Sequence, residues 1–163
     1  TILGVPQLGQ EMSNWCWAAS ARMAARVVNT NPPSQSDIVN EVKGSVIDQG
    51  GNTTETIAAA RFASGNNATY SSTGVLTEQL LTQRISENNP VIVAREWFVD
   101  GERHGHDVVV YGIQLTVAGV RYWIRDPWPV NIGATYTLTY DELVDGSSTG
   151  VDNRRWDDTV FRS

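Results

Sequence analysis

Four residues have the types and order that acyl-transfer chemistry needs: Gln10, Cys16, His106 and Asp126. Cys16 is the only cysteine, so an internal disulfide and a multi-cysteine zinc site are both excluded. A thiolate attacks carbonyl carbon, and a histidine is its usual partner, taking the thiol proton and later returning it to a leaving group. His106 opens the run Gly105-His106-Asp107-Val108-Val109-Val110-Tyr111, where a strand would anchor the ring at the mouth of a cleft. Asp126 closes the next β-branched run and could fix the imidazole tautomer as the third group of a triad. Gln10, six residues before Cys16, could join the Cys16 backbone N–H in an oxyanion hole. Each residue also has a plainer reading. These are a buried thiol between two tryptophans, a histidine in a polar turn, an aspartate before proline and a solvated glutamine. The order of the four, with each at the end of an element, favours the chemical reading.

The elements around them must do the positioning. Asn14 is expected to cap a first helix from about Asn14 to Val28, which puts Cys16 in its first turn. There the free N–H groups and the helix dipole favour a thiolate. Trp15, Trp17 and Trp128 are candidates to line the site, although Trp128 could equally be core. Residues 1–9, with Pro6 barring a helix, read as an extended arm lying on the body. Ser34 or Ser36 starts a second helix closed by Gly44. A third runs from Thr53 or Thr54 to near Gly65, and a fourth from Thr77 to about Asn88. Residues 65–74 read as a loop. The pattern then switches to strands: 91–97, 106–115, 120–126, 135–140 and 154–161, with a helical turn at 141–144. Helices followed by antiparallel strands make an α+β fold. The 163 residues are expected to form a single domain, with a helical half at about 10–89 and a β half at about 90–163.

Composition limits the function. The net charge of −6 argues against nucleic acid and against anionic membrane surfaces, and no apolar run approaches the length of a span. The sequence begins without methionine or a recognisable leader, and Thr1 is expected to mark either a processing site or an arbitrary boundary.

Gln10, Trp15-Cys16-Trp17-Ala18-Ala19-Ser20, Gly105-His106-Asp107-Val108-Val109-Val110-Tyr111-Gly112 and Asp126-Pro127-Trp128 together resemble the papain-like cysteine proteases. The match is to the short bacterial branch with secreted and injected effector proteases. The resemblance spans roughly Val5 to Trp128. It implies a papain-like fold, with the helical half packed on the antiparallel sheet half. It also implies a cysteine endopeptidase with Cys16 as nucleophile, His106 as general base and acid, Asp126 orienting His106, and Gln10 donating to the oxyanion. No cofactor or metal is expected. A protein or peptide substrate, a removed propeptide or an inhibitor protein are the expected partners, the chain acting as a secreted monomer, in some members delivered into a host cell. Papain carries glycine and serine where this chain has Ser13 and Asn14, and asparagine where it has Asp126. The same residues would equally serve an acyltransferase or a deamidase. Two further readings are a metal hydrolase built on His104, His106 and an aspartate, and a non-catalytic binding module of papain-like shape.

Overall fold

A computed structural model describes all residues, Thr1–Ser163. The element order is α1 (Cys16–Ala25), α2 (Gln35–Lys43), α3 (Thr53–Ala63), β1 (Tyr70–Thr73), α4 (Glu78–Ser86), β2 (Val91–Val99), β3 (Glu102–Thr116), β4 (Gly119–Asp126), β5 (Ala134–Thr139), α5 (Tyr140–Val144), α6 (Gly146–Thr149) and β6 (Arg155–Arg162). The strands form one antiparallel sheet in the order β1-β6-β2-β3-β4-β5.

Local chemistry sets the helix ends. Ser34 accepts from the Asp37 backbone N–H, and Gly44 stops α2 in the left-handed conformation at φ 81°. Asn52 and Glu55 form a reciprocal capping box on α3. Thr77 caps α4 by accepting from the Leu80 backbone N–H alone. Helix α1 is the exception. It starts at Cys16, its N-cap position is Trp15, and no side chain caps it. Asn14 does not serve as the cap, because its amide N–H₂ donates to Ser13 Oγ and its backbone N–H donates to the Asp48 carboxylate. The helix also ends at Ala25, three residues short of the expected Val28, and loose turns carry the chain to Pro32.

Further along, one expectation changes and one element is added. Residues 70–73, expected as loop, form a short edge strand on β6. Their polar alternation hides the strand, because only one rim of the sheet is being covered. The segment Gly146–Thr149 folds as a short helix that the serine-rich sequence does not reveal. Asp145 caps it by accepting from the backbone N–H groups of Ser147 and Ser148. Elements of both kinds therefore fall in each half.

One core of 30 buried residues joins the layers. The alanines of α1 (Ala18, Ala21, Ala24 and Ala25) let it lie close to α3 and to β3. Ser20 Oγ on α1 donates to the Asp107 carbonyl of β3 at 3.3 Å, tying the cysteine-bearing helix to the histidine-bearing strand. Arg95 of β2 is 3% exposed. Its guanidinium donates to Asp152 and to the carbonyls of Leu143, Glu142 and Arg154, which fixes the α5–α6 corner. The arm at residues 1–9 lies on the body: Leu3 and Val5 are buried, and Leu3 N–H donates to the Tyr111 carbonyl.

Candidate active site

Cys16 opens α1, His106 stands on β3 and Asp126 ends β4, next to β3 in the sheet. All three neighbourhoods meet at one cleft of about 760 Å3, whose walls include Gln10, Cys16, His106, Asp107 and Trp128. A bulge in β3 between Val110 and Gly112 shifts the β3–β4 register, so that Arg125 lies opposite Val109 and Asp126 comes beside the His106 end of the ladder.

His106 and Asp126 are joined directly. His106 Nε2 lies 2.7 Å from Asp126 Oδ1, with both side chains about 10% exposed. Asp126 Oδ1 also accepts from the Trp128 backbone N–H at 2.9 Å, and Oδ2 accepts from Tyr136 Oη at 2.7 Å. Burial pushes the Asp126 carboxyl up, but the bond and charge of His106 with the Trp128 and Tyr136 donors outweigh it and hold the carboxyl below its ordinary range. An ionised Asp126 accepting from Nε2–H leaves the lone pair on Nδ1, so the free ring nitrogen is the basic one.

Cys16 is only partly buried. Desolvation pushes its thiol pKa up, and the Asp107 carboxylate adds to this, with Asp126 as a lesser contributor. The backbone N–H groups of Asp107 and Trp17 reach the sulfur and pull the other way without prevailing. The position in the first helical turn therefore does not by itself yield a thiolate, contrary to the expectation from the sequence. Losing the proton to solvent would leave another negative charge among Asp107 and Asp126. Passing the proton to an imidazole in the same cleft keeps the local charge constant.

Gln10 is brought to the cleft and is 1% exposed. Its main chain is clamped on both sides: Gln10 N–H donates to the Pro127 carbonyl at 2.8 Å, and the Gln10 carbonyl accepts from Asn131 N–H at 2.9 Å. Its side-chain Nε2 donates to the Ser13 carbonyl at 2.9 Å and to the Met12 carbonyl at 3.1 Å, while Oε1 is buried without a partner. The amide is thus held in place but is engaged with the backbone, and donation to an oxyanion requires it to give up one of these bonds. The longer one, to Met12, is the weaker. No side chain caps the start of α1, which leaves the Cys16 backbone N–H without a side-chain partner, as an oxyanion donor needs.

The tryptophans divide. Trp128 is 49% exposed and lines the cleft. Trp15 and Trp17 are at most 1% exposed and belong to the core, so they do not line it. Their indole N–H groups donate instead to the carbonyls of Ile47 and Gln49, at 2.8 and 2.9 Å. Asp48 accepts from Ser13 Oγ and from Asn14 N–H. These bonds pin residues 47–49 across the start of α1 and set Gly50, Gly51 and Asn52 on the cleft rim. Gly51 lies against the Trp17 ring, where an added Cβ would come within 2.5 Å of ring carbon.

The sequence reading missed Tyr136, the strap at 47–52 and Gln35. Gln35 is 4% exposed, accepts from Glu11 N–H and donates to the Gly9 carbonyl, so it braces both flanks of Gln10. None of the three carries a sequence signal, because each works through a partner far away in the chain. His104 lies outside the site: it is exposed and stacks on Trp97 with ring centroids 5.7 Å apart. No group of three or more His, Cys, Asp or Glu residues lies close enough to hold a metal ion, so the metal-hydrolase alternative lacks its ligand set.

In fold, the chain is similar to a C39-like peptidase from Bacillus anthracis, with a TM-score of 0.58 and 12% identity over 99% of this chain and 92% of that one. It is similar to the same degree to a structure from work on the mite allergens Blo t 1 and Der p 1. The TM-score is again 0.58 and the identity 12%, over 98% of this chain and 67% of that one. At such identity these likenesses establish an α+β, papain-like fold and nothing more. No curated protein matches the chain in sequence. Residues 2–140 do match the sequence profile of a family described as papain-like cysteine protease AvrRpt2. The match covers most of the chain, including Gln10, Cys16, His106 and Asp126, and the chain belongs to that papain-like cysteine protease family.

Proposed function

We propose that the chain is a cysteine endopeptidase that cleaves peptide bonds through an acyl-enzyme on Cys16. The observation that carries this reading is the 2.7 Å bond between His106 Nε2 and Asp126 Oδ1 in the cleft that Cys16 borders. In this reading Asp126 holds the ring with Nδ1 as acceptor. Nδ1 takes the Cys16 proton as sulfur attacks the carbonyl carbon, giving a tetrahedral oxyanion. The Cys16 backbone N–H and Gln10 Nε2 stabilise that oxyanion, the latter after exchanging its bond to Met12. The imidazolium then protonates the leaving amine. Water hydrolyses the thioester with His106 again as base. Asp126 acts by orientation and charge, and Tyr136 and the Trp128 N–H keep it ionised.

The test is incubation of a mixed peptide library with the protein and with Cys16→Ala, followed by mass spectrometry. New peptide termini with wild type alone are expected, with an acyl-enzyme at Cys16 after rapid acid quenching. Amide-to-acid conversion without new termini would replace this reading by deamidation. Equal cleavage by folded Cys16→Ala would overturn it.

A further inference from the structure

One carboxylate in the cleft takes no hydrogen bond from the chain. Asp107 is 7% exposed, lines the cleft, and takes no hydrogen bond on its carboxyl oxygens. Buried ionisable groups are ordinarily paired, so a bare carboxylate facing a cavity points to something that binds there. It has company across the sheet. Ala94 of β2 stands opposite Asp107 on β3 and opposite Asp158 on β6. Paired residues project from the same face of a sheet, so the three side chains form one row, with the shortest in the middle. Neighbouring strands lie about 4.8 Å apart, which puts the two aspartates about 10 Å apart at Cα, with Ala94 as the floor between them. A bulge at Ala94/Arg95 breaks the β2–β6 register just there, and both Asp157 and Asp158 border the cleft.

The nearby acids differ in how they are satisfied. Glu55 is paired with Lys43 at 2.7 Å, and Asp157 with Arg103 at 2.9 Å. Asp158 accepts only from the uncharged donors Thr53 Oγ1 and the Thr159 N–H. Of the arginines that border the cleft, Arg95 is held by Asp152 and three carbonyls, Arg103 by Glu96 and Asp157, and Arg154 lies over the Trp97 ring at 4.1 Å. Neither Asp107 nor Asp158 is therefore ion-paired with a lysine or arginine, although the charges of His106 and Arg103 reach Asp107, and an alanine leaves the space between the two carboxylates open.

We propose that the slot floored by Ala94 and walled by Asp107 and Asp158 receives a lysine or arginine side chain of the substrate and makes the protein selective for a cationic residue beside the cleaved bond. The proposal rests on Cys16 being the nucleophile. A long, flexible ammonium or guanidinium stem reaches past Cys16 along the apolar edge given by Ile92 and Val160, and its charge ends between the two aspartates. A norleucine side chain matches the stem without the charge and would leave Asp107 unpaired.

The test uses irreversible probes that read Cys16 directly. Peptidyl chloromethyl ketones are made in matched pairs, with lysine or norleucine at the first or the second residue before the ketone. Alkylation of Cys16 displaces chloride and forms a thioether, which mass spectrometry counts. The second-order rate is expected to favour lysine by roughly tenfold or more at one of the two positions, the scale of one hydrogen-bonded charge. Asp107→Asn and Asp158→Asn should each shrink that ratio, and the double variant should bring it close to one. Iodoacetamide, which carries no side chain, serves as the control. If iodoacetamide labels Cys16 in the native protein but lysine and norleucine probes react alike, the cationic slot is wrong and the thiol reading stands. A lysine preference that survives in the double variant also overturns the slot. If no reagent labels native Cys16, the nucleophile reading falls, and the slot with it.

Discussion

Replacing Asp107 with asparagine should stabilise the protein at neutral pH and lose that benefit in acid. Burial raises the Asp107 carboxyl to about 6, against an ordinary value of 3.8; the His106 charge lowers it and Asp158 raises it further. The folded value lies above the unfolded one, so between about pH 4 and pH 6 the folded chain holds the extra proton. Stability therefore falls as pH rises through that window. A shift of about 2 units corresponds to about 3 kcal/mol at full ionisation. Part of it is already present at pH 4, which leaves a change of about 2–3 kcal/mol between pH 4 and pH 7.5. Asp107→Asn removes the ionisation and little else, because the two side chains are nearly the same size. Urea denaturation of both proteins at pH 4.0, 5.0, 6.0 and 7.5 gives the difference directly. Any packing cost of the amide is the same at every pH and cancels in the slope. The variant is expected to gain about 2–3 kcal/mol on wild type across the window, with the midpoint of the change between about pH 4 and 6. A difference that does not vary with pH would refute the claim that burial of the Asp107 carboxylate outweighs the compensation it receives from nearby positive charge.

Other outcomes follow from the bonding around the site. Tyr136→Phe removes one donor from Asp126 without touching the cleft surface. It should lower turnover by roughly five- to thirtyfold, about 1–2 kcal/mol, and move the acid limb of the pH–rate profile to higher pH. An unchanged profile would show that Asp126 does not depend on the phenol. Gln10→Ala should lower kcat by roughly 10²–10³-fold with little change in KM, in steady-state assays on any cleaved peptide; an effect on KM alone would remove Gln10 from the oxyanion hole. Arg95→Met should destabilise the fold by about 3–5 kcal/mol by leaving Asp152 and three carbonyls without their donor. Thermal unfolding reads that loss, and a shift of less than a degree would contradict it.

Much of this arrangement is legible from sequence because the signals are local. Ser34, Thr77 and Gly44 mark helix ends by their own side-chain or backbone preferences, and the β-branched run at 108–113 can hardly be anything but a strand. Asp126 ends its strand as that reading puts it, whereas His106, read as the opening of a strand, is the fifth residue of β3, which pairing with β2 extends back to Glu102; the adjacency of the two follows from pairing consecutive strands. What escaped depends on contacts between distant residues. Asn14 has the chemistry of a cap, but Asp48, 34 residues on, captures it and leaves α1 uncapped. Trp15 and Trp17 flank the thiol in sequence. Both are nonetheless buried in the core, Trp15 from the N-cap position and Trp17 from the first turn of α1, and they anchor residues 47 and 49. The short strand at 70–73 exists only because β6 offers a free edge. The raised thiol pKa is equally invisible, since it comes from burial and from Asp107 and Asp126 rather than from the helix end alone.

The measurement that bears most directly on the Cys16–His106–Asp126 reading is the rate of Cys16 alkylation by iodoacetamide as a function of pH, on wild type and on His106→Ala. The surroundings of Cys16 disfavour a lone thiolate, so any reactivity below neutral pH must come from proton transfer to His106. Wild type is expected to react well below the pH at which a free thiol ionises, about 8.5. His106→Ala should react only far above it. Equal profiles for the two proteins, or reaction of Cys16 only after unfolding, would contradict the account and leave Cys16 as a core thiol.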